Sequence, residues 1–304
     1  MHLHPTILPA FLEISRTVNS TCAAGIVFSV IGLLAAKRDL AEARGLDKIV
    51  ALANLCFAAP LAVFGAKHFA SARGISQIVP RFMPWPLFWA YFVGVALIAA
   101  SLSIATKIQV FWSGLLFGIM MFVFVAMMDF PGALADRHNR IAWVLLAREM
   151  SFGAGGWMLA ATAMNGRNGP GKSRFIAGGR IVTGIAAIFY GVEHFLHPVN
   201  VPCVPLEKIM PTWIPARALI GYLTGAILLV AGASILLTKK TRMAATYLGS
   251  WIFLLVLVVY GPILIASLRD PSTDVKVEGI NYFFDTLLYA GTILALARAT
   301  PPSD

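Results

Sequence analysis

Nine apolar runs, each about 20 residues long, follow one another along this chain, separated by short basic or proline-rich breaks. A run of that length matches the roughly 30 Å hydrocarbon core of a bilayer at a rise of 1.5 Å per residue. The runs lie near residues 18–36, 49–69, 87–106, 108–128, 141–164, 175–196, 216–238, 243–266 and 280–299. Charged residues make up only 12% of the chain, against about 25% in soluble proteins, and a water-facing surface needs more. The expected fold class is therefore all-α, a polytopic membrane protein of about nine transmembrane helices.

The first run is followed by Lys37-Arg38-Asp39 and not by a small-residue cleavage site, so it reads as a span and not as a cleaved signal. A net charge of +10 raises the question of nucleic acid. Lys and Arg are spread over short inter-span loops, however, and anionic lipid and topology account for them. The bilayer is the expected partner, with no nucleic acid. Cys22, Cys56 and Cys203 form neither a CxxC nor a metal-ligand spacing, and packed thiols are the simpler reading.

With nine crossings the termini lie on opposite faces. Twelve Lys and Arg fall in the loops of one face, among them Lys37, Lys107, Arg167, Lys239 and Arg298, against eight on the other. That bias places the N-terminus outside and the C-terminus in the cytoplasm. The expected setting is a bacterial inner membrane.

Part of the chain is said twice. Gly65, His68 and Phe69 match Gly191, His194 and Phe195, and Met83-Pro84 matches Met210-Pro211. Tyr91 and Gly94 match Tyr222 and Gly225, Pro131 matches Pro262, and Glu149 and Gly155 match Asp285 and Gly291. Order is kept, and the spacing drifts only through loop insertions. Each unit holds four spans, an even number, so the two enter the membrane from the same side as parallel repeats. The expected division is 1–48 for an N-terminal span and loop, 49–170 for the first unit and 171–304 for the second.

On a helix, Arg180, Gly184, Ala187, Gly191 and His194 share one face, as do Asn54, Ala58, Leu61, Gly65 and His68. Small residues at such spacing let neighbouring helices approach closely in lipid, so both histidines point into protein. Glu149 and Asp285 begin the matching small-residue faces of the last span in each unit. Ionisable groups at that depth are paired, line a cavity or are protonated. One reading pairs His68 with Glu149 and His194 with Asp285 as structural pins. Another has the four residues line a pocket that handles protons, a quinone head group or a polar solute. A third makes His68 and His194 haem ligands. Arg148 either neutralises Glu149 or points away, Arg180 snorkels, and Glu193 is solvated at the rim beside His197. Asp129 closes a helix in an interfacial turn, with Tyr260 at its place in the second unit. No catalytic set and no metal site is marked.

A four-span unit with G-x-x-H-F ending its first helix, a proline-rich outer loop and Y-x-x-G opening the second resembles the DoxX-like membrane proteins. The residues concerned are Gly65, His68, Phe69, Pro84, Tyr91 and Gly94, then Gly191, His194, Phe195, Pro211, Tyr222 and Gly225. The resemblance covers about 49–164 and 175–299 and implies a tandem pair of four-helix bundles. It further implies a redox-associated, quinone-linked membrane subunit with a membrane or periplasmic redox partner, although the missing CxxC speaks against thiol exchange. Two other expectations stand beside it: a small-solute transporter or binding protein with a pocket between the units, and a purely structural subunit.

Overall fold

Each apolar run folds as a helix in the computed structural model, which describes residues 7–164 and 170–301. The long helices are α1 (Ile7–Glu42), α3 (Ala53–Ala70), α5 (Pro86–Thr106), α6 (Val110–Phe124), α8 (Arg140–Thr162), α9 (Pro170–Leu196), α10 (Arg217–Leu236), α11 (Thr241–Leu255) and α13 (Thr273–Ala299). Shorter pieces are α2 (Asp47–Ala51), α4 (Ala72–Ile75), α7 (Phe130–Ala135) and α12 (Gly261–Arg269). The linker carrying Arg167, one of the residues in the charge bias, lies outside the described residues.

The expectation of nine spans is met in part. Among the described residues seven helices are long and apolar enough to cross a membrane, and eight if α3 is joined to the turn after it, which bends by 91°. The helix that falls short is α8, and α3 passes only with its bent extension. The physical reason is enclosure. Ala53 to Val63 of α3 are all buried, and so are most residues from Ser151 to Ala161 of α8. A helix surrounded by protein can carry Asn54, Lys67, Arg148 and Glu149 without exposing them to acyl chains.

Local chemistry sets the breaks. Pro131 and Pro262 lack an N–H, and their rings crowd the carbonyl four residues back. Just before each proline the chain widens into a π-turn, Val125–Asp129 and Val256–Tyr260. Left-handed residues stand at Trp85, Lys107 and Gln109, and again at Ala216, Thr238 and Lys240. Both sets sit where one helix ends and the next begins.

Close crossings depend on missing side chains. A Cβ on Gly65 would lie 3.1 Å from the Gly94 carbonyl oxygen, and one on Gly191 would lie 3.1 Å from that of Gly225. These contacts press α3 against α5 and α9 against α10. Between α6 and α8 the approach is closer still, a Cβ on Gly114 falling 2.5 Å from the Gly156 carbonyl oxygen.

Around these crossings, α8 packs on α9, α13 packs on α3, and α8 and α13 meet in the middle. Within the α13 span 89% is buried, against 17% for α1, which makes α13 the central post and α1 an outer strut. At one end of the molecule Asp39 of α1 bonds Lys107 at 2.9 Å and Arg298 of α13 at 3.3 Å. Arg298 also donates to Asn54 of α3.

Candidate functional site

The loop after α3 and the loop after α9 take different paths. Residues 71–85 stay near the surface as a helical turn, a 3-10 turn over Ser76–Ile78 and a bend, with Ile78, Phe82 and Trp85 exposed. The loop after α9 instead folds inward. Asn200 and Ile209 form an antiparallel bridge, and Val201 donates to Lys208. Between them, Val201 to Leu206 are buried, with Cys203, Val204 and Leu206 fully so. This segment plugs the bundle of the second half.

Backbone groups of the plug require partners so deep in the protein, and the helices supply them. Cys203 N–H donates to His194 Nε2 at 2.9 Å, and His194 Nδ1 donates to the Tyr190 carbonyl. Tyr260 OH donates to the Pro202 carbonyl. Thr286 donates to the Val204 carbonyl at 2.9 Å, and Arg140 to that of Leu206 at 3.1 Å. Burial raises the Cys203 thiol well above its usual range, the setting of a packed cysteine.

His194 therefore pairs with the plug and not with Asp285, which corrects the pinning expected for the second unit. With both ring nitrogens engaged it has none left for a metal, and haem ligation by His68 and His194 is closed. Among the described residues no cluster of His, Cys, Asp and Glu suits a metal ion.

Both carboxylates turn to Arg148. Its Nη1 donates to Asp285 at 2.9 Å, and its Nη2 and Nε reach Glu149 Oε1 at 2.8 and 3.2 Å. One guanidinium thus bridges the last helices of the two halves, α8 and α13. A planar fork with five donors suits two acceptors where an imidazole reaches one at most. The His68–Glu149 pair is replaced in the same way. His68 Nδ1 bonds the Phe64 carbonyl at 2.8 Å, and no described group bonds Nε2.

The remaining predicted residues are also placed. Glu193, expected in solvent, is paired with Arg140 at 3.1 Å and lies 3.8 Å from His197, because Arg140 leans across from α8 to hold the plug. Arg180 does not snorkel into headgroups; it caps α10 by donating to the Ile235 and Leu236 carbonyls at 2.7 and 2.8 Å.

No plug enters beside His68, and a cavity of about 840 Å³ lies between helices of the first half and α13, with Pro205, Glu207 and Lys208 of the loop after α9 also on its wall. Its apolar wall includes Phe64, Phe117, Phe124, Phe152, Met121 and Met128. Its polar side gathers His68, Asp129, Lys67, Arg148, Glu149 and Asp285. Lys67 donates to Asn281 of α13 at 3.2 Å, and Asp129 Oδ2 is buried without a hydrogen-bond partner. Lys67 and Arg148 thus lie beside Asp129, Glu149 and Asp285, with Glu207, Lys208, Asp274 and Glu278 also on the lining, and among the described residues neither His68 Nε2 nor Asp129 Oδ2 has a hydrogen-bond partner.

Two members of this site carried a legible signal. Lys67 adjoins His68 inside an apolar run, and an ionisable residue there is a site candidate by default. Asp129, read as a helix terminator, sits in a π-turn, a feature common at functional sites. Asn281 and the plug gave no such cue.

Helices of this length and apolarity around a partly charged interior define a polytopic helical membrane protein with an internal cavity. Comparison with known proteins finds no match, whether to a family model, a curated protein or a solved structure.

Proposed function

We propose that this protein is a membrane subunit that holds a quinone-type amphiphile in the cavity beside His68 and Asp129, between helices of the first half and α13. The observation that carries the reading is the pairing of that cavity's aromatic wall with two unengaged acceptors, His68 Nε2 and Asp129 Oδ2. Pockets for small lipophilic molecules are mostly apolar with a few convergent polar groups, and about 840 Å³ lies within their usual range. Among the described residues His194 has both ring nitrogens engaged, and Cys56 and Cys203 are buried. Electrons would therefore reach the bound molecule from a membrane or periplasmic redox partner.

The same proposal takes the chain as two parallel DoxX-like units behind an N-terminal span, crossing a bacterial inner membrane nine times with the N-terminus outside. Features 131 positions apart support the duplication: Trp85 and Ala216, Lys107 and Thr238, Gln109 and Lys240, and the two π-turns. The contacts of α8 with α9, of α13 with α3, and of α8 with α13 support the same reading, since exchange of the two units maps the first onto the second and the third onto itself.

The test is extraction of lipids from the purified protein, with quinones quantified by mass spectrometry. Quinone should be enriched over the surrounding membrane and lost from the His68→Phe variant. Quinone at the membrane's background level in the native protein would end this reading.

A further inference from the structure

Where the two halves differ, the second half holds as its own backbone what the first half leaves open. His194 corresponds to His68, and its Nε2 accepts an N–H from the plug; no group among the described residues bonds His68 Nε2. Tyr260 corresponds to Asp129 and donates to the plug; Asp129 Oδ2 is buried and unpaired. The loop that would carry a plug in the first half stays at the surface. An occupant of the first-half cavity therefore replaces the plug, with one difference in polarity. Tyr260 gives a proton to its partner, whereas a carboxylate at Asp129 receives one. Two acceptors, an imidazole nitrogen and a carboxylate oxygen, call for an occupant with at least two O–H or N–H donors. Four phenylalanines and three methionines around the cavity favour a flat aromatic head over an aliphatic one.

A second difference concerns the seam between the second and third helices of each half. Between α5 and α6 a slot of about 210 Å³ runs past Ala96, Ala99, Leu116 and Met120, and it shares Phe117 and Met120 with the cavity wall. Leu116 is among the residues exposed on the outer face. At the matching positions of α10 and α11 stand Ile227, Val230, Tyr247 and Trp251. Trp251 also ties that seam shut, its indole N–H donating to Thr224 at 3.2 Å. Bulk has been added in one half where the other is lined by alanine.

Resting on the quinone-type reading, we infer that the cavity takes the reduced form, a hydroquinone head whose two hydroxyls donate to His68 and Asp129. Its hydrocarbon chain leaves sideways to the bilayer between α5 and α6. The second half is then a copy whose site is filled from within, its head place by Pro202 to Val204 and its seam by Trp251.

The probes are a decyl-substituted benzohydroquinone, its oxidised quinone, the same head without a chain, and a long-chain aliphatic diol. Binding to the full-length protein is measured in nanodiscs under anaerobic conditions. Native protein should prefer the hydroquinone to the quinone by about a hundredfold, the worth of two hydrogen bonds. Leu116→Tyr copies the residue already present at position 247, and Ala99→Leu fills the slot from its other side. Each should weaken the decyl probe about tenfold, a loss comparable to excluding a few methylenes, and leave the chain-less head unchanged. Equal affinity for quinone and hydroquinone would overturn the donor assignment. Decyl binding unaltered in both variants would overturn the lateral path. A diol bound as tightly as the hydroquinone would overturn the aromatic head. Native protein that binds none of the probes would overturn the underlying reading together with this inference, an outcome distinct from the other three.

Discussion

Arg148 holds two carboxylates that would otherwise face each other across an apolar surround. Removing one partner of a buried ion pair leaves an uncompensated charge and costs far more than the intact pair contributes. Arg148→Met should therefore lower stability by about 3 kcal/mol, read as a depressed thermal midpoint in detergent. The triple change Arg148→Met, Glu149→Gln, Asp285→Asn should recover most of that loss, since the charges then leave together. If the single variant were as stable as the native protein, the guanidinium would not be the bridge between α8 and α13. His194 teaches the opposite lesson at this scale. Its imidazole is spent on backbone, one nitrogen on its own helix and one on Cys203, so it organises a loop and has no chemistry to spare.

At the scale of elements, backbone contact between glycines decides which helices meet. Gly114 of α6 sits where a Cβ would strike the Gly156 carbonyl oxygen at 2.5 Å and the Ala160 nitrogen at 2.8 Å. Backbone atoms of α8 cannot swing aside as a side chain does. Gly114→Val should cost roughly 2 kcal/mol or more through overpacking, whereas Gly132→Ala, with nothing within 4 Å, should be close to neutral. Thermal unfolding of the two variants side by side makes the comparison, and equal midpoints would refute the tight α6–α8 crossing. The plug shows what an element can do without regular structure. Its carbonyls and amides are satisfied one by one by Tyr260, Thr286, Arg140 and His194, which is how irregular backbone survives inside a membrane protein.

For the whole molecule, the nine-crossing proposal places the ends of the chain on opposite faces. Single cysteines in a background lacking Cys22, Cys56 and Cys203 supply the check. One in the exposed turn at Arg81 should react with an impermeant reagent from outside, and one at Lys239 only after the membrane is opened. Labelling of both from the same side would remove the proposed topology. Much of this architecture was legible in advance. Apolar length located every long helix, the doubled G-x-x-H-F located the tight α3–α5 and α9–α10 crossings, and depth in an apolar run singled out Glu149 and Asp285. Hydropathy alone overcounted the helices able to cross unaided, because α3 and α8 are screened from lipid by their neighbours. Partners were the weaker part of the reading. A helical face shows that His68 and Glu149 turn inward, and only packing shows which group arrives opposite each.

Helical character, the number of long elements and the inward faces followed from the chain alone, because the length, apolarity and spacing that set them are local to each run. Tertiary structure alone decided that Arg148 and not the histidines would neutralise the carboxylates, and that the loop after α9 would fold inward while the loop after α3 stayed at the surface. Those outcomes turn on distances between groups far apart in the chain, and no local pattern carries that information.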